Sequence, residues 1–74
     1  MTTHAIKKHI ALCLCKARTD IKLIRKYEPA YFIGSYDFVT LVNETLADAN
    51  VSLTREIQAL TLDAYDALLS EFAQ

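Results

Sequence analysis

Three residues in the stretch "HIALCLC" could do chemistry. His9 and Cys13 stand four apart, so on a helix they sit on the same side and could both reach one metal ion. A structural zinc site wants four ligands, so a second copy of the chain would have to supply the other two. Cys13 and Cys15 share a face only in a strand; on a helix, at about 100° per residue, they point in nearly opposite directions. Free cysteine is among the most buried residue types, and a small core Cys13 with His9 at the core's edge explains the same residues without a metal. Cys15 lies near Arg18 and Lys22, which would favour a thiolate, but a nucleophilic cysteine also needs an oriented base. His4 and His9 do not offer one. No metal, no cofactor and no catalytic residue is expected.

The carboxylates give a similar answer. Glu56, Asp63 and Asp66 fall on one strip of a predicted helix. Acid–base catalysis needs two carboxylates converging on a cleft with separated pKa values, and a convex helix face does not provide that. As a surface, the strip suits a basic protein partner. The cations gather elsewhere: Lys7, Lys8, Arg18, Lys22, Arg25 and Lys26, with His4, share one helix face. Clustered Lys and Arg are what phosphate binding requires, so this face could meet nucleic acid or an acidic protein. It carries no recognisable nucleic-acid-reading motif. Basic amphipathic helices also bind anionic lipid, but tryptophan is absent and the rest of the chain is acidic.

The aromatic residues concentrate at a bend. "YEPAYFIGSYDF" holds the only proline, the only glycine and five of the seven aromatic rings. Tyrosine combines contact area with a polar tip and is favoured at interfaces. A lid over the open end of a small bundle explains the same rings. Both uses are expected, with Phe32 and Phe38 inside and Tyr31 and Tyr36 available to a partner.

These groups must be positioned by helices. Ile6, Ile10, Cys13, Leu14, Ala17, Ile21 and Ile24 recur at helical spacing opposite the basic face, which predicts a helix over about residues 4–27, continuous through "ARTD". The rival is a break there, with Thr19 or Asp20 capping a second helix. Pro29 ends the first helix, since the residue before a proline avoids helical backbone. "PAYFIG" reads as one helical turn closed by a left-handed Gly34, after which Ser35 caps a second helix over 35–49 with Asp37 in its first turn. Phe38, Leu41, Val42, Thr45, Leu46 and Ala49 form its apolar face, and Asn50 ends it. A third helix is predicted over 53–72. Its apolar arc is broad: Leu53, Ile57, Leu60, Ala64 and Leu68 make one stripe, and Leu62, Tyr65, Leu69 and Phe72 a second. A helix packed on one side needs an arc of only about 100° or slightly more, so this helix is either central in the fold or part of an oligomer interface, and a two-fold interface on the second stripe is expected.

The chain of 74 residues is thus expected to be one all-α domain, 1–74, a three-helix bundle with antiparallel neighbours. A core of that size is marginal, which also favours a homodimer. Two cysteines, too close together to close a useful loop, point to a reducing, cytoplasmic setting. The longest stretch without charge is 8 residues, against about 20 for a membrane span, so no membrane partner is expected. Charge is segregated. Residues 1–26 carry seven Lys/Arg against Asp20, a net of +6; residues 27–74 carry Arg55 against eight carboxylates, a net of −7. That asymmetry suggests a charged partner. The expected function is a non-enzymatic regulator, adaptor or inhibitor, of the kind a phage could encode, that occludes a larger complex. The alternative is a nucleic-acid-binding homodimer presenting the first helix.

Overall fold

The computed structural model describes residues 2–73 and contains three helices, each packed on the other two. They are α1, Thr3–Ile24; α2, Ser35–Asp48; and α3, Arg55–Phe72. Cys13 of α1 meets Thr45 near the end of α2, and Phe38 near the start of α2 meets Tyr65 late in α3. Consecutive helices are therefore antiparallel. Arg18 of α1 reaches Glu71 of α3, while Thr3 and Ile6 lie near Thr54 and Ile57, so α1 and α3 run in the same direction.

The predicted apolar faces supply the core: Ile10, Cys13, Ala17 and Ile21 from α1, Phe38, Val42 and Leu46 from α2, and Ile57 and Leu68 from α3. Thr61 is buried among them without an unsatisfied hydroxyl, because it donates to the carbonyl of Ile57 at 2.7 Å.

α1 is one helix through "ARTD". Thr19 donates to the Cys15 carbonyl at 3.0 Å, one turn back in the same helix, and Asp20 pairs with Lys16 at 2.8 Å. Neither side chain caps a new helix. Thr2 caps α1 by accepting from Ala5 N–H, and Thr54 caps α3 by accepting from Ile57 N–H. After Ile24 the chain tightens into turns: Lys26 N–H reaches Leu23 O, and Tyr27 N–H reaches Ile24 O. This is why α1 stops three residues before the predicted boundary.

The linker differs from expectation. Its turn is a β-turn over Glu28–Tyr31, closed by Tyr31 N–H to Glu28 O at 2.9 Å, and residues 31–34 are then free of regular structure. Gly34 has φ −71° and ψ 155°, an extended conformation open to any residue, and it occupies the N-cap position expected for Ser35. The left-handed residue lies at the other end of α2, where Asn50 has φ 61°. Val51 N–H bonds to Leu46 O and Asn50 N–H to Ala47 O, both at 2.9 Å, which is the Schellman pattern. Val51 completes it by packing on the core. Asn50→Gly should keep or slightly raise stability, whereas Asn50→Val should cost about 1–2 kcal/mol through its crowded left-handed backbone. Denaturant titration of the two variants checks this.

Candidate interaction surface

Arg25 and Tyr65 organise one end of the bundle. The Arg25 guanidinium donates from Nε to the Tyr31 carbonyl at 2.7 Å, and its carbon lies 5.1 Å from the Phe72 ring centroid and 5.8 Å from that of Phe32. Tyr65 donates its hydroxyl to the Ile33 carbonyl at 2.6 Å. Phe32 meets Tyr65 and Phe72 edge-on, at 6.0 and 5.6 Å between centroids. The linker is thus pinned from α1 and from α3, and Tyr31, Phe32 and Ile33 pack on the core as a lid. Burial raises the Tyr65 pKa, and the neighbouring Asp66 charge adds to this.

This arrangement sorts the charged and aromatic residues expected at a surface. Arg25 is engaged within its own chain. So is Arg18, whose guanidinium holds both oxygens of Glu71, at 2.8 and 2.9 Å. That paired hydrogen bonding holds the Glu71 carboxyl below its usual range. Lys7, Lys8, Lys22 and Lys26 are exposed and enter no ion pair among the described residues. Tyr31 is half-buried and Tyr36 is 81% exposed. Glu56, Asp63 and Asp66 are exposed on α3. Of the four residues expected at an oligomer interface, Tyr65 and Phe72 pack into the chain's own end cluster, while Leu62 and Leu69 face outward.

Two residues were not singled out from sequence. Leu12 is 62% exposed and Leu23 52% exposed, and both lie on the outward side of α1. Each follows a core isoleucine, Ile10 or Ile21, by two positions, about 200° further round the helix. Tyr27, 87% exposed, continues beyond the end of α1. The signal was present: two leucines opposite the apolar stripe, among lysines. The result is an outward face that alternates aliphatic side chains with Lys8, Lys16 and Lys26.

The remaining groups do not converge. Cys13 is buried within 3.5 Å of the Thr45 hydroxyl. Nε2 of His9 is buried with no hydrogen-bond partner, and no three His, Cys, Asp or Glu side chains cluster among the described residues. Cys15 is exposed beside Arg18, 3.9 Å from its guanidinium. The depression of about 500 Å³ around Asn43, Ala47, Asn50 and Leu53 has no titratable side chain in its lining. The cleft of about 310 Å³ between the starts of α1 and α3 has only Glu56. Neither offers the paired groups that proton transfer would require. Among the described residues, no helix is long and apolar enough to cross a membrane.

Compared with known proteins, the chain matches no family model, no curated protein and no solved structure.

Two outcomes are expected of the pinned linker. Arg25→Met should cost about 1.5–3 kcal/mol in urea unfolding, since it removes a charged hydrogen bond and a cation held against two rings. Tyr65→Phe should cost about 1 kcal/mol at neutral pH. Because the folded Tyr65 pKa is raised, its contribution is complete below the ordinary value of 10.0 and is lost as pH rises through the folded value. Tyr65→Phe should therefore flatten the alkaline fall in thermal midpoint, measured by circular dichroism.

Proposed function

We propose that the protein is a non-enzymatic interaction module, a small regulator, adaptor or inhibitor that works by covering a surface of a larger assembly. The observation that carries this is the outward side of α1 and of the turn after it, where Leu12, Leu23 and Tyr27 stand in solvent beside Lys8 and Lys26, with Lys16 held by Asp20 between them. A single exposed leucine needs no explanation, but Leu12 and Leu23 lie on one stripe of α1, about 16 Å apart, with Tyr27 beyond them, and apolar side chains aligned along one side of a helix suit a contact surface. The lysines select an acidic partner and speed the encounter, while the leucines supply the buried area.

The same face supports a protein partner over nucleic acid. Arginine is the preferred fork for phosphates, and Arg18 of α1 and Arg25 at its C-cap are committed to Glu71 and to the linker. Leucines between the lysines gain little from a phosphate backbone. Tyr36, exposed at the start of α2, is a second contact candidate on the same molecule.

The test compares the wild type with the double variant L12E/L23E, both immobilised and cross-linked to partners in an extract of the native cell or host. The variant should recover at least about tenfold less of the acidic partner, with a thermal midpoint within a few degrees of wild type, because both leucines are already exposed. Equal recovery by the two proteins overturns the assignment. So does retardation of duplex DNA or RNA at about 50 mM salt that disappears by about 200 mM.

A further inference from the structure

We infer that this chain associates with itself head to tail, the basic outward face of α1 on one copy docking on the acidic outward side of α3 on the next. This rests on the proposal that α1 is a docking face, and it names a second copy of the chain as an occupant.

The two faces match in kind and oppose in sign. On α1 the exposed leucines are Leu12 and Leu23, with Lys8 and Lys26 beside them. On α3 they are Leu62, 38% exposed, and Leu69, 42% exposed, seven residues apart and so on one stripe. Asp66 stands between them and Asp63 beside them, both exposed, and Arg55, seven residues before Leu62, is the one cation on the stripe. The leucine-bearing face of α1 is therefore net basic, and that of α3, with Asp63 and Asp66 against Arg55, net acidic.

They cannot meet within one chain. Glu71 points toward α1, because it holds Arg18. Leu62 lies nine residues earlier, about 180° round the helix, and Leu69 about 160° round. Both therefore face away from α1. Leu12 and Leu23 likewise face away from the core that Ile10 and Ile21 enter. The complementary surfaces lie on opposite sides of the molecule and can be satisfied only between molecules.

Charge also selects among the ways two copies could pair. A two-fold contact through α1 sets lysines against lysines, and one through the Leu62 and Leu69 side sets Asp66 against its own copy. Both place like charges together. The head-to-tail contact joins unlike charges, and the net charge of −1 imposes little overall repulsion between copies. Such a contact is heterologous, so it extends into a chain of subunits or closes into a ring.

Sedimentation velocity of the full chain, across a concentration series at about 50 mM and about 500 mM salt, tests this. The wild-type mass should climb past two chains at low salt, with association weakened about tenfold at high salt. L12E/L23E and L62K/L69K should each remain monomeric alone. Mixed in equal amounts they should form a complex of two chains and no more, since each keeps one intact face. A monomeric wild type at low salt, a mass that stops at two chains, or a mixture that stays monomeric overturns the inference. Should a leucine variant fail to fold, K8E/K26E and D63K/D66K ask the same question by charge: neither should assemble alone, and the mixture should. Assembly of either alone like wild type is contrary evidence. If the wild type is monomeric while L12E/L23E still abolishes partner capture, self-association fails and the α1 docking face stands. If capture ignores L12E/L23E while the mixing pattern appears, self-association stands and the proposed partner contact fails.

Discussion

The structure depends on how the carbonyls of Tyr31 and Ile33 are satisfied. Residues 31–34 connect two helices without regular structure, so they have no ladder to supply hydrogen bonds. A partly buried carbonyl left without a donor costs much of what a hydrogen bond is worth. Arg25 answers Tyr31 from the C-cap of α1, and Tyr65 answers Ile33 from α3. With the backbone held, Phe32 is presented to Tyr65 and Phe72, and Arg25 covers the rings from outside. One node therefore joins α1, the linker and α3 at the end of a short bundle whose core would otherwise be open.

That node also determines what remains for solvent. It withdraws Arg25, Tyr65 and Phe72 from the surface, and the Arg18–Glu71 pair withdraws a second arginine from the basic face. The forked guanidinium suits fixed, planar contacts within the fold, whereas lysine keeps a hydrated point charge at the end of a flexible stem. The cationic surface of α1 is thus made of lysines. Its apolar part is made of leucines that the core does not use.

Periodicity made much of this legible in the sequence. The residues sharing the inner face of α1 were readable because 3.6 residues per turn leaves little freedom once Ile10, Ala17 and Ile21 are aligned. The end of α2 at Asn50 was readable because few residues besides glycine and asparagine tolerate the left-handed backbone that closes many helices. Gly34 was less readable. A lone glycine beside a proline suggests a left-handed turn, but satisfying two neighbouring carbonyls with side chains lets the chain run extended there, at φ −71°. Leu12 and Leu23 were legible in position, opposite the stripe, yet their exposure depends on no other helix covering that side.

The sequence by itself determined three helices, their inner faces and the division into a basic first third and an acidic remainder, because these arise from local spacing and composition. Only the tertiary structure decided how the broad apolar arc of α3 is divided. Tyr65 and Phe72 turn inward and Leu62 and Leu69 outward, although all four belong to one predicted stripe. Helical periodicity specifies which residues are neighbours on a surface. Where the edge of the core falls is set by what lies across from it, and here that is Phe32, carried by a linker brought into place by two side chains from distant parts of the chain.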